Sequence, residues 1–246
     1  MTTRTSHRWT CQPGRFDTIG VRERFTSSGL WGIPTLRAYH GEAPPSIAPF
    51  GVRASAKDKQ SGLHFFLDDY RFERVWDRPT QFLSSVLRYG WALTPDFSLY
   101  TDYPLAAQLW NTYRNRWLGA LWQRHGVRVI PTISWATALS YSFAFTGVDP
   151  GGVVAVSGVG VRSNDATAMQ LFDAGYKEML RVLHPSLVLC YGKLPKSVMG
   201  LALVQEYPSR WGRGGEHEKR SKRGAGDSAS ASVGASGLPT ARVEEG

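Results

Sequence analysis

Cysteine is almost missing from this chain, which has only Cys11 and Cys190. Neither stands in a C-x-x-C or similar spacing, so the sequence points neither to a disulfide framework nor to a zinc module. Cys190 lies inside an apolar run, where a small thiol is ordinarily packed. Long apolar stretches are missing as well. No uninterrupted run reaches the ~18 residues of a membrane span. The N-terminus has no continuous apolar segment of the kind a secretory signal carries. The expectation is a soluble, cytoplasmic protein with no membrane partner. Acidic residues are in deficit, with 20 Asp and Glu against 29 Lys and Arg, a net charge of +9. The basic excess is spread along the chain, which suits an anionic partner but builds no concentrated binding arm. The familiar catalytic signatures are absent too. There is no G-x-S-x-G, H-E-x-x-H, G-x-G-x-x-G or G-x-x-x-x-G-K-[ST], which disfavours the common hydrolase, zinc-protease, dinucleotide and P-loop chemistries.

What is present is a large supply of core-forming residues. Hydrophobic side chains make up 42% of the chain and aromatics 12%, with nine tryptophans, enough for a sizeable interior. Residues 1–29 are rich in Thr, Ser and Arg without periodicity and read as a flexible leader. From Ser209 to Gly246 the composition shifts to Gly, Ser, Ala and charges. Such a tail buries too little apolar surface to offset its ordering entropy, so it is expected to be disordered. Its KRSKR run suits nucleic-acid contact, although most short basic runs are simply solvated. Residues 30–208 are expected to form a single domain.

Within that domain apolar runs repeatedly end in polar or glycine-rich residues. HFFLDD ends in Asp68 and Asp69, WALTPD in Asp96, VRVIPTIS in Thr132 to Ser134, VVAVS in Ser157, and LVLCYGK in Lys193. Helical patterns follow most of them. The strongest runs from about Pro104 to His125, with Thr101 or Asp102 as its expected cap and Leu105, Leu109, Tyr113, Trp117 and Leu121 as its expected core stripe. A second spans about Asn164 to Leu183, with Ser163 or Asn164 as cap. Near-continuous apolar strands alternating with helices indicate a mostly parallel sheet covered by helices. The expected fold is therefore α/β, a partial or complete barrel of the TIM type, with an open doubly wound sheet as the alternative. In either, ligands gather outside the carboxyl ends of the strands.

That rule selects the candidate site. Asp68, Asp69 and Asp96 are the candidate catalytic carboxylates, as general acids or bases or as ligands for Mg²⁺ or Mn²⁺. Neighbours on an extended chain point to opposite sides, so one of Asp68 and Asp69 faces the rim and the other caps a turn or pairs with Arg71 or Arg74. Asn111, Arg114 and Asn115 share a helix face; it is either solvated or able to hold a phosphate or sugar. Tyr100 and Trp135 are candidate pocket walls. Ser157, in a glycine-containing turn before a helix, and Lys193 are candidate anion contacts. His64 reads as preceding its strand and hence as structural.

The motifs HFFLDDYRFERVW, PDFSLYTDYP, NTYRNRW, QRHGVRVIPTISW, VVAVSGVGV, FDAGYKEM and PSLVLCYGK, taken together, resemble the bacterial and phage family called domain of unknown function 4417. The resemblance runs from about Ile33 to Lys193 and leaves out leader and tail. It implies a setting among phages and other mobile elements, and it groups the strand-end motifs as one constellation. Where that pattern carries an acidic residue, this chain has Thr146 in FAFTGV, so a carboxylate there plays no part in its chemistry.

The residues support an enzyme acting on a phosphate- or sugar-containing substrate, nucleic acid or a nucleotide, through strand-end carboxylates. The alternative is a non-catalytic nucleic-acid-binding or replication-associated protein, in which basic and aromatic side chains make the contacts. A third reading is a carboxylate-based glycan enzyme.

Overall fold

The computed structural model describes residues 24–52, 59–161 and 164–209. The tail and most of the leader lie outside them. Among the described residues nine strands are formed: β1 (Ser27–Ser28), β2 (Ile33–Pro34), β3 (Ser46–Pro49), β4 (Ser61–His64), β5 (Trp91–Leu93), β6 (Val129–Ile130), β7 (Val153–Ser157), β8 (Leu187–Tyr191) and β9 (Val204–Tyr207). Five α-helices among the described residues accompany them: α1 (Glu73–Asp77), α2 (Pro79–Val86), α3 (Leu105–Arg124), α4 (Tyr141–Ala144) and α5 (Ala166–Leu183). None of the described helices is long and apolar enough to cross a membrane.

Apart from the small antiparallel pair β1–β2, every strand pairing is parallel. Strands β3 to β6 form one sheet in chain order and β7 to β9 another. Between them runs a single bridge from Thr132 to Ala155. There the Ile133 amide donates to the Ala155 carbonyl and the Ala155 amide to the Pro131 carbonyl, both at 2.8 Å. Pro131 has no N–H to give a ladder, so the seam stays one bridge wide. The parallel α/β expectation is met. The strands do not close into a cylinder among the described residues, so the architecture is the open one.

Apolar side chains of β5 to β9, with Phe66 just past β4 and Ile47 of β3 packed against them, meet in one interior cluster that includes Trp91, Ile130, Val153, Leu189 and Tyr207. Two further clusters lie between the sheets and the helices, one built on α1, α2 and α3 and the other on α5. Strands that bury both faces need side chains that are apolar at every position, which is why they read as unbroken runs.

Several boundaries differ from expectation for local reasons. The first buried strand ends at His64, with Phe65 and Phe66 beyond the ladder, so His64 closes a strand rather than preceding one. It is buried; its Nδ1 accepts from the Phe66 amide at 3.2 Å and its ring sits 4.7 Å from that of Tyr191. Helix α3 starts after Pro104, without a side-chain cap from Asp102 or Thr101. Instead Gln108 reaches back and donates to the carbonyls of Tyr100 and Tyr103, pinning the turn. Helix α5 is capped by Asp165, which accepts from the Ala168 amide at 2.9 Å, one residue later than expected. Phe25, within the expected leader, packs edge-on against Trp117 with ring centres 5.6 Å apart, and β1 follows it.

The largest departure is in α3. Its expected apolar stripe is buried only in part: Trp117 and Leu121 are in the core, whereas Leu105 is exposed. The helix buries polar residues instead, among them Asn111, Thr112, Arg114, Asn115 and Arg116. Arg116 is the extreme case. Its guanidinium donates to the carbonyls of Thr146, Thr132 and Ala144 at 3.2, 3.0 and 2.9 Å and to the Asn115 side chain, with no carboxylate partner. Burial lowers its pKa to about 9. One side chain thus holds the ends of β6 and α4 against α3. Arg116→Met is expected to destabilise the fold by roughly 3 kcal/mol, because it strands three carbonyls in the interior. Arg116→Lys should recover little, since an ammonium lacks the forked geometry. Urea unfolding followed by tryptophan fluorescence measures both.

Candidate functional site

Because the strands are parallel, the segments leaving their carboxyl ends share one edge. Asp68 and Asp69 follow β4, Asp96 follows β5, Ser134 and Trp135 follow β6, Ser157 ends β7 and Lys193 follows β8. Thr94 extends the arrangement past the β5–β6 ladder by accepting from the Thr132 amide at 2.8 Å.

The two aspartates of the first segment part company, as alternation requires. Asp68 is exposed and its side chain does not cap the short 3₁₀ turn Asp69–Arg71. Asp69 points to the next segment, accepting from the Ser98 amide at 3.0 Å and the Ser98 hydroxyl at 2.9 Å. Neither aspartate pairs with Arg71 or Arg74. Asp69 fixes the Pro95–Tyr100 loop, and Asn111 holds the same loop by donating to the Ser98 carbonyl at 2.7 Å.

Asp96 lies in that loop. It accepts a short hydrogen bond from the Ser134 hydroxyl. Its pKa is raised to about 7: burial dominates, the Ser134 hydrogen bond opposes it, and the Asp69 charge adds to it. A carboxyl that takes up and releases a proton near neutrality is suited to general acid–base chemistry.

Beside this carboxyl lies a cavity of about 350 Å³ whose lining includes Tyr100, Ser134, Trp135, Ser157 and Phe172. Tyr100, Trp135 and Ser157 were expected from sequence, and the fold brings all three to one place. Ser134 lines the cavity and bonds Asp96, so it joins the two. Trp135 is held by its indole N–H, which donates to the Leu171 carbonyl at 3.2 Å, and by Phe172, 5.3 Å from its ring. Gly175 of α5 permits that seat, since a Cβ there would lie 2.1 Å from the indole. The Ser157 hydroxyl accepts from the Val159 amide at 3.2 Å, shaping the turn after β7.

Other expected contacts are placed elsewhere. Asn111, Arg114 and Asn115 are buried rather than solvated; the two amides and the terminal nitrogens of Arg114 donate within the protein, while the Arg114 Nε–H has no partner among the described residues. Arg114 pairs with Glu73, donates to Asn111 at 2.6 Å and lies 3.9 Å above the Phe97 ring. Asn115 donates to the Pro95 carbonyl at 2.7 Å. These residues brace the loop that carries Asp96, and none of them lines the cavity. Lys193 is exposed on the neighbouring loop; the backbone there approaches Gly158 so closely that a Cβ would sit 2.2 Å from the Lys193 carbonyl. Asp69 and Asp96 form a pair. Among the described residues no three His, Cys, Asp or Glu side chains are grouped to hold a metal ion.

Sequence reasoning passed over Ser134 and Arg116. Ser134 was in view as a strand-end hydroxyl, and its spacing from Trp135 was the available signal. Arg116 carried no signal, because its burial depends on partners from three separate segments.

The family called Domain of unknown function 4417 matches residues 25–208. The chain belongs to that family. Two curated relatives are the Gene 1 proteins of Mycobacterium phage L5 and Mycobacterium phage D29. Each is 45% identical over 215 residues, covering 86% of this chain and 93% and 79% of the respective relative. No solved structure matches the chain. The family resemblance read from the motifs is thereby established, including phage members.

The raised pKa of Asp96 has a measurable consequence. A carboxyl whose folded pKa lies above its unfolded value of 3.8 contributes stability below that value, which is lost as pH rises toward about 7. Asp96→Asn is therefore expected to gain stability relative to the parent chain between about pH 4 and pH 7, with the difference level above that. Chemical denaturation across that pH range measures it; a constant difference would contradict the assignment.

Proposed function

We propose that this protein is an enzyme acting on a nucleotide or nucleic acid, with Asp96 as the proton-transferring group and the neighbouring cavity as the seat for a base or sugar ring. The observation that carries this reading is the link through Ser134, whose hydroxyl bonds Asp96 while lining the cavity between Tyr100 and Trp135. Aromatic walls accept the faces of planar rings and the apolar faces of sugars. The hydroxyls of Ser134 and Ser157 supply the few directional contacts that fix orientation in such a pocket. Asp69 has a supporting role, holding the Asp96 loop and adding negative charge nearby. The net charge of +9 suits an anionic substrate, and Lys193 is a cation exposed on the loop after β8 to receive it.

This reading differs from a pure binding module in what Asp96 does. A binding module needs no group that titrates near neutrality, and neutralising an acid there would leave affinity for nucleic acid unchanged or raise it. The test offers the full chain a set of nucleosides, nucleotides and short oligonucleotides and follows products by chromatography. Asp96→Asn should lower turnover by at least about 100-fold while binding persists. Trp135→Ala should weaken binding instead. Absence of turnover with every member of the set, or turnover indifferent to Asp96→Asn, would refute the enzyme reading.

A further inference from the structure

On the flank of the fold, outside the strand-end site, lies a second cavity of about 310 Å³ between β3, α1 and α2. Its walls include Phe50, Phe82 and Tyr89, its polar groups are Arg74, Ser85 and Arg88, and no acidic residue among the described residues lines it. The guanidinium of Arg74 sits over two rings at once, 5.2 Å from the centre of Phe50 and 5.6 Å from that of Phe82. Stacking fixes its plane while leaving its N–H edge for another partner. Among the described residues Arg74 makes no side-chain hydrogen bond or ion pair.

The surroundings add charge of the same sign. Arg71 and Arg78, three residues before Arg74 and four after it, are exposed and have no carboxylate partner among the described residues. The acids of α1 do not neutralise them, since Glu73 turns to Arg114 and Asp77 pairs with neither. Arg71 closes the turn that begins at Asp69, so the arginines start beside the strand-end rim and lead away from it.

We propose that this arginine-lined, aromatic-floored cavity binds a phosphodiester and its attached nucleotide from single-stranded nucleic acid. The stacked Arg74 guanidinium presents its edge to phosphate oxygens through charge-assisted, two-pronged hydrogen bonds. Phenyl and phenol rings give a base a sequence-tolerant platform. The volume is at the lower end of small-ligand pockets and fits a single nucleotide. The site stands on its own observations and does not depend on chemistry at Asp96.

The test measures fluorescence anisotropy of a labelled oligothymidylate of about twenty nucleotides with the full chain at several salt concentrations. The double variant Arg74→Ala, Arg88→Ala should bind at least about tenfold more weakly, with a salt slope shallower by about two. Lys177→Ala, at an exposed position of α5 that lines neither cavity, should bind as the parent does, which separates this site from a general effect of net charge. Thermal melting checks that the variants remain folded; if the double variant unfolds, Arg74→Gln alone is used, with a smaller loss expected. Inorganic phosphate, compared with chloride at equal ionic strength, tests the other source of the same chemistry. Competition by phosphate alongside oligonucleotide binding supports the site. Stabilisation by phosphate with no oligonucleotide binding, or equal affinity of parent and variants, would overturn it.

Discussion

The inward-facing polar side of α3 is the constraint on which the rest of the structure depends. Carboxyl-terminal strand loops leave carbonyls without ladder partners, and buried carbonyls need donors. Asn111, Asn115 and Arg116 provide them, bonding the carbonyls of Ser98, Pro95, Thr132, Ala144 and Thr146. A helix with an apolar inner face could pack equally well while leaving these loops undefined. Here the helix fixes the segments after β5 and β6, the two that carry Asp96 and Ser134. The cost is a buried guanidinium without a counter-charge, tolerated because several acceptors surround it.

Rigidity of the loops then accounts for the character of the site. Asp69 and Ser98 secure the Asp96 loop from one side and Asn111 secures it from the other. With its carboxyl withdrawn from water and bonded to Ser134, Asp96 acquires a proton affinity suited to neutral pH. Glycines set the remaining shape by allowing close approach: Gly175 admits the Trp135 ring and Gly158 admits the Lys193 backbone. A methyl group at either position would displace a wall of the cavity or the loop beside it.

Much of this was legible in the chain itself. Val153–Ser157 and Leu187–Tyr191 were recognisable as strands because both faces are buried, leaving no polar alternation to confuse the pattern. Tyr100, Trp135 and Ser157 were identifiable as a group from their places at strand ends. By contrast, the donors of α3 looked solvent-facing, because polar residues at helical spacing normally are. Nothing local distinguishes a helix face bathed in water from one that bonds loop carbonyls. His64 was misplaced by similar logic: the apolar run continues through Phe66, while the hydrogen-bonded ladder stops at His64.

The sequence by itself determined the alternation of strands and helices, the parallel sense of the sheet and the edge at which the strand-end residues gather. Each of these follows from apolar periodicity and chain connectivity, which are local or nearly so. Only the tertiary structure decided that the sheet stays open, that Asp69 turns toward Ser98 while Asp68 faces solvent, and that Ser134 links Asp96 to the cavity. It also decided that Arg114 is a brace and that Arg74 stacks on Phe50 and Phe82 with no ion pair among the described residues. The reason is the same throughout. Partnership and burial are properties of contacts between segments distant in the chain, and a side chain's identity does not specify which partner will meet it.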